Sequence, residues 1–201
     1  ADFNVTRSPG TRRNQRVFDT TTAMAVNRSA SAIVGLITPK SERWHALTTD
    51  DIELNKSQAV KRYFDEVENI LFSNRYAASS GFSTSNYQAI RSLMGFGTGQ
   101  LTLNEHPSGK GVIYQPLFLG DMFYGVNNFG VVDTAMRQFE FTKRQAIQQW
   151  GEDKLPKKVM EDKGDNKFTF CHIVHANEDY DERSMNPDNR EFKYVYMFKE
   201  D

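Results

Sequence analysis

Residues 87–114 read YQAIRSLMGFGTGQLTLNEHPSGKGVIY, and the spacing of apolar side chains changes within this stretch. Before the glycines the spacing is helical, and the side chains predicted to face inward are Tyr87, Ile90, Leu93 and Met94. After them it alternates around the turn 107–111, as in a hairpin, with the apolar pairs Leu101/Leu103 and Val112/Tyr114. A helix that leads directly into a hairpin indicates an α+β fold, because α/β folds alternate strands with helices.

An earlier helix is predicted to begin near the candidate caps Asp19 and Thr20–Thr22. Small residues dominate it, so it can pack closely against a partner. It ends at Thr38-Pro39, since proline disfavours helical backbone in the residue before it. Residues 43–47 then form a predicted short strand or loop, anchored by Trp44.

The clearest helical pattern covers residues 57–76. Its apolar stripe consists of Val60, Tyr63, Phe64, Val67, Ile70, Leu71 and Tyr76. We expect this helix to bury Phe64, Val67 and Leu71.

The second half of the chain is predicted to be mainly antiparallel strands. A hairpin with strands 122–124 and 131–141 is followed by a short helix, for which Thr142 and Gln145 have the spacing of a capping box. The last elements are a helical piece at 155–160 and strands at 167–175 and 192–198, joined by a polar loop at 176–190. The predicted fold class is therefore α+β, with helices followed by an antiparallel β-meander that carries a short helix.

The composition is that of a folded, rather polar protein. Of the 201 residues, 38% are hydrophobic and 12% aromatic, which argues against disorder, and the net charge of -1 gives no overall attraction to nucleic acid or anionic membranes. Residues 1–46 are basic, with seven basic and three acidic side chains, whereas residues 151–201 have nine basic and thirteen acidic ones. The single cysteine excludes an internal disulfide. The first residues lack a signal-peptide pattern, and no apolar run reaches the ~20 residues that cross a bilayer.

Three groups of residues could suggest chemistry, and none completes a site. The glycines of 95–99 follow a helix and precede a strand, the reverse of a phosphate-binding loop, so we expect a flexible corner. On a strand, Cys171 and His175 share a face that His172 does not, which leaves a zinc site incomplete. The acidic cluster in 178–188 lacks the order of a calcium loop and is interpreted as solvated. The sequence therefore predicts no catalytic, cofactor-binding or metal-binding residue.

The charged contact predicted from the sequence is the cluster Arg12, Arg13 and Arg16. It lies in a basic segment, residues 1–16, that is predicted to be an extended arm outside the domain formed by residues 17–201. The arginines could belong to a solvated tail, contact an acidic patch of a neighbouring subunit, or contact DNA. So few arginines would bind DNA weakly and in a salt-sensitive way.

Several short segments occur in a distinctive order over roughly residues 12–198. They are Gln15–Thr21, Leu36–Pro39, Trp44–Leu47, Phe64–Val67, Asn86–Tyr87, Gly95–Gly99 and Phe139–Ala146. This order resembles that of the head-to-tail connecting (portal) proteins of short-tailed bacteriophages. The resemblance implies that residues 17–201 are an α+β domain like the N-terminal part of the portal wing region.

The resemblance also implies a function without catalysis. Portal subunits form a ring, usually of twelve, at one vertex of the virion capsid, and a separate terminase pumps double-stranded DNA through it. Implied partners are copies of the chain itself, the major capsid protein and scaffold, and, through regions outside this sequence, terminase and tail adaptor proteins. No membrane partner is implied, and assembly takes place in the host cytoplasm.

This sequence departs from the family in its length, and two other functions are alternatives to a portal. Family members continue into a stem helix and a clip, so the sequence is expected to be a fragment of a portal or one part of a portal built from more than one chain. A tail adaptor or completion protein with similar architecture is the first alternative. A metal-dependent nuclease, which would need several carboxylates around one ion, is the remote alternative.

Overall fold

The computed structural model describes residues 19–186 and 188–199. Its helices are α1 (Thr21–Ile37), α2 (Ile52–Lys56), α3 (Gln58–Arg75), α4 (Phe82–Phe96), α5 (Lys143–Trp150) and α6 (Lys157–Met160). Its strands are β1 (Gln100–Glu105), β2 (Val112–Leu117), β3 (Met122–Val126), β4 (Val132–Thr142), β5 (Lys167–Ala176) and β6 (Phe192–Phe198). The predicted α+β class and the predicted order of helices and hairpins are confirmed. The chain divides into two compact units between Leu119 and Gly120.

In the N-terminal unit, α4 is the central helix. It packs against α1 on one side and against the antiparallel β1–β2 hairpin on the other. Its buried side chains are Phe82, Ser85, Asn86 and Ala89. Ser85 Oγ donates to the carbonyl of Tyr114 at 2.7 Å, and Asn86 Nδ2 donates to Thr38 Oγ1 at 2.8 Å. Small and polar side chains thus hold α4 close to its neighbours.

This arrangement corrects the predicted inward face of α4. Leu93 and Met94 are exposed, and Tyr87 and Ile90 are only half-buried. The prediction was wrong because it ranked faces by apolar size. The helix instead turns Phe82, Ala89 and two polar residues inward, so that hydrogen bonds accompany the apolar contacts.

The predicted burial in α3 is also partly wrong. Phe64 and Val67 are half-buried, but Leu71 is 40% exposed and Glu68 is 6% exposed. The inward side of α3 is organised around the Glu68 carboxylate, which receives a hydrogen bond from Leu47 N at 2.5 Å. The apolar stripe is rotated away from this contact, and Leu71 therefore faces outward.

The corner between α4 and β1 explains the glycines of 95–99. Gly97 ends the helix with φ +77°, in the left-handed region, and donates to the carbonyl of Leu93 at 2.8 Å. Gly99 lies so close to α4 that a Cβ there would be 2.1 Å from the carbonyl oxygen of Ala89. The predicted role of this segment as a corner is confirmed.

Two glycine substitutions should therefore have opposite effects on stability. Gly99→Ala forces the corner away from α4 and should lower the free energy of unfolding by about 1–3 kcal/mol. Gly35→Ala, within α1 and with nothing within 4 Å of the added Cβ, should raise it by about 0.5–1 kcal/mol. Urea denaturation of both variants measures the difference. Equal effects would mean that α4 and the corner are not in close contact.

The C-terminal unit is a four-stranded antiparallel sheet in the order β3-β4-β5-β6, with α5 on one face. Its core consists of Phe139, Ala146, Val159 and Phe170. The predicted capping box is confirmed: Thr142 Oγ1 accepts from Gln145 N, and Gln145 Oε1 accepts from Thr142 N at 2.9 Å. This box fixes the direction in which α5 leaves β4.

Candidate subunit-contact surfaces

The arginines singled out from the sequence, Arg12, Arg13 and Arg16, lie outside the residues that the structure describes. Their role in subunit contact stays a prediction.

The histidines of β5 do not converge with Cys171. His172 stacks on the Tyr196 ring with centroids 4.2 Å apart, whereas Cys171 lies opposite Met197 in the register of the neighbouring strand. Within residues 19–186 and 188–199, no group of three histidine, cysteine, aspartate or glutamate side chains could hold a metal ion. The same residues include no helix with the length and apolar character of a membrane span.

A polar and aromatic network joins loop 38–49 to α3. Arg43 binds two acidic side chains, with Nη2 2.7 Å from Asp65 Oδ1 and Nη1 3.2 Å from Glu68 Oε2. The next residue, Trp44, donates from Nε1 to the Tyr76 hydroxyl at 3.0 Å, and that hydroxyl donates to the carbonyl of Thr38 at 2.9 Å. The predicted role of Trp44 as an anchor is thereby explained, because its loop is held by side-chain hydrogen bonds rather than by strand pairing.

His45 also belongs to this network, because its ring contacts those of Trp44 and Phe72. Its Nδ1 lies 3.2 Å from Arg75 Nη1, which can only donate, so Nδ1 must accept and the ring must be neutral. Burial first, and then the positive charge of Arg75, lower the pKa of His45.

Acid should therefore weaken the N-terminal unit. The unfolded chain takes up a proton on His45 near its ordinary pKa of 6.5, and the folded chain does so only at lower pH. The unfolded state binds more protons in this window, so stability falls as the pH falls below about 6.5, until the lowered pKa is passed. Urea midpoints at several pH values measure the slope. The slope should become shallower in His45→Gln, and an unchanged slope would contradict this role.

Both units present surfaces that a partner could cover. In the N-terminal unit, a groove of about 910 Å³ lies between α1, α4 and the end of β2. In the C-terminal unit, the sheet face opposite α5 carries a row of apolar side chains in register: Phe123, Met136, Ile173 and Val195. Phe123 and Val195 are exposed at the two edges of the row.

The sequence matches one protein family along its whole length. That family is described as "Bacteriophage head to tail connecting protein", and the match covers residues 1–201. The chain belongs to this family.

Two curated relatives of this connecting protein come from bacteriophages. It is 28% identical over 201 residues to a "Probable portal protein" of Bordetella phage BPP-1, an alignment that covers 95% of this chain and 35% of the relative. It is also 28% identical over 195 residues to a "Portal protein" of Salmonella phage epsilon15, covering 92% of this chain and 34% of the relative. The chain thus spans about a third of the length of these relatives.

Sequence reasoning missed the exposed side chains of this connecting protein's last strand. Residues 194–198 read YVYMF, an unbroken apolar run that is typical of a strand covered on both faces. Yet Tyr194, Val195 and Met197 are exposed. The run was the available signal that β6 meets something beyond its own sheet.

Proposed function

We propose that this chain is a structural part of a portal subunit, the head-to-tail connector ring at the capsid vertex. Such a ring is the conduit for genome packaging and ejection and the platform for tail attachment. The observation that carries this proposal is the match to the connecting-protein family over residues 1–201.

The distribution of apolar surface supports this role. In the C-terminal unit, the sheet face opposite α5 carries the continuous apolar row Phe123, Met136, Ile173 and Val195, whose two ends are exposed. Monomeric proteins rarely leave extended apolar patches uncovered, and rings of identical subunits cover such patches with the next copy. The described residues contribute surfaces, and the proposed work is mechanical rather than catalytic.

The same proposal also specifies the copy number, the location and the partners of the ring. The ring contains about twelve copies, lies in the virion, is assembled in the host cytoplasm and passes double-stranded DNA. Capsid protein and scaffold are its neighbours, and terminase and tail adaptors bind through other parts of the subunit. The basic arm of residues 1–16, with Arg12, Arg13 and Arg16, contacts an acidic surface of the next copy.

The mass of the assembled full-length protein tests the proposal. Native mass spectrometry with negative-stain imaging should give rings of about twelve copies. A stable monomer under every salt condition would overturn the proposal in favour of a tail adaptor, and a metal titration would then test the nuclease alternative. Deleting residues 1–16 should weaken the ring; unchanged ring size and stability would show that the arm makes no subunit contact.

A further inference from the structure

A small pocket opens on the C-terminal unit, beside the edge strand β6. Its volume is about 240 Å³, below the ~300–1,000 Å³ of most small-molecule sites, so a single inserted side chain fits it better than a ligand. The lining residues used below are Trp150, Lys154, Leu155, Pro156, Tyr196 and Phe198. We call this the aromatic pocket.

The aromatic pocket has a defined chemistry. The Trp150 and Tyr196 rings lie 5.3 Å apart, and Leu155, Pro156 and Phe198 add further apolar surface to the lining. Aromatic rings pack favourably edge-to-face or offset against one another, so this lining favours an incoming aromatic side chain.

The charge beside the pocket is positive. Lys154 is the charged residue of the lining, and Lys158 Nζ lies 6.0 Å from the Phe198 ring. The acidic residues Glu152 and Asp153 precede this segment and are not part of the lining. An aromatic side chain flanked by acidic residues would match both features.

The loop between β5 and β6 carries such a side chain. Tyr180 is 42% exposed and lies within an acidic run made of Glu178, Asp179, Asp181 and Glu182. Met185, further along the loop, is also exposed.

Hydrogen bonds within the loop hold this run in place. Asn177 Nδ2 donates to the carbonyl of Arg190 at 2.8 Å, and Asn189 Oδ1 accepts from Asp181 N at 3.1 Å. A preorganised loop loses little conformational entropy when it binds.

The loop and the pocket lie at opposite ends of the same sheet. Phe170 and Phe198 are paired beside the pocket, whereas the pair Ala176 and Phe192 leads into the loop. Phe170 and Ala176 lie six positions apart along β5, which is about 20 Å. The loop of one chain therefore cannot fill the pocket of the same chain.

We propose that Tyr180 and its acidic loop dock into the aromatic pocket of a second copy of the chain. The inference rests on the proposed portal function and names one of its subunit contacts. The contact joins two different surfaces, the loop of one copy and the pocket of the next, so it can repeat from copy to copy around a closed ring. The acidic run faces Lys154 and Lys158, and the Tyr180 ring packs against those of Trp150 and Tyr196.

A charge exchange in the full-length protein tests this contact. Lys154→Glu with Lys158→Glu, and separately Glu178→Lys with Glu182→Lys, should each weaken ring assembly by about tenfold or more. All four changes together should restore the ring. The matched control is Lys110→Glu with Glu105→Lys in the exposed β1–β2 hairpin, which should leave assembly unchanged. Rings that form normally in both charge-reversed variants would overturn the docking proposal.

Crosslinking tests the direction of the contact. With the other cysteines replaced by serine, Glu182→Cys and Lys154→Cys in one chain should give trimers and larger species with a short bis-maleimide. Products no larger than dimers would contradict a head-to-tail contact. If the wild-type protein forms rings but neither the charge exchange nor the crosslinking gives the expected result, only the docking proposal is wrong. If the wild-type protein forms no rings, the proposed portal function is wrong as well.

Discussion

Arg43→Met is expected to lower the free energy of unfolding by about 3–5 kcal/mol. The substitution keeps much of the side-chain volume but removes the cation that faces Glu68, whose side chain is only 8% exposed. The carboxylate would then keep the hydrogen bond from Leu47 N and lose its ion pair. Urea denaturation of the 201-residue chain measures the loss.

Asp65→Ala is the matched control for this experiment. Asp65 is closer to the same guanidinium, at 2.7 Å, but its side chain is 58% exposed. Solvent weakens exposed ion pairs, so this variant should lose only about 0–1 kcal/mol. Similar losses in the two variants would show that burial of Glu68 does not determine the strength of the interaction.

Phe170→Ala is expected to lower the stability of the C-terminal unit by about 3–5 kcal/mol. Phe170 is 3% exposed, and its ring contacts those of Phe139, Trp150 and Phe198, with centroids 6.1, 4.8 and 5.6 Å away. Truncation leaves a cavity between the sheet and α5 that these rings cannot fill without leaving their own contacts. Denaturation followed by tryptophan fluorescence measures the effect, since Trp150 borders the cavity.

The control for the core substitution is Phe129→Ala. Phe129 lies in the β3–β4 turn and is 83% exposed, so its removal should change stability by less than about 0.5 kcal/mol. A small effect of Phe170→Ala would mean that the core of this unit is centred elsewhere.

The sequence was sufficient to predict the type and order of the main elements. Periodicity located α1, α3 and α4, and turn residues located both hairpins. The capping box at Thr142 and Gln145 was predicted because it depends on residues three positions apart, which a single chain displays directly.

The buried side of each helix was harder to predict, because it depends on residues that are far away in the sequence. Glu68 is buried because Arg43, 25 positions earlier, reaches it, and no helical pattern contains that information. Asn86 faces inward because Thr38 receives its hydrogen bond. The pocket beside β6 was likewise hidden, since Trp150, Pro156 and Tyr196 meet only in the folded unit.

The junction between β4 and α5 has a mechanical consequence. Thr142 is both the last residue of the strand and the cap of the helix, so no linker residue separates the two elements. A force on β4 is therefore transmitted directly to α5, because no flexible residue lies between them. Separating the strand from the helix would require both hydrogen bonds of the capping box to break. Strand and helix should therefore move together as one rigid unit when a force acts on β4.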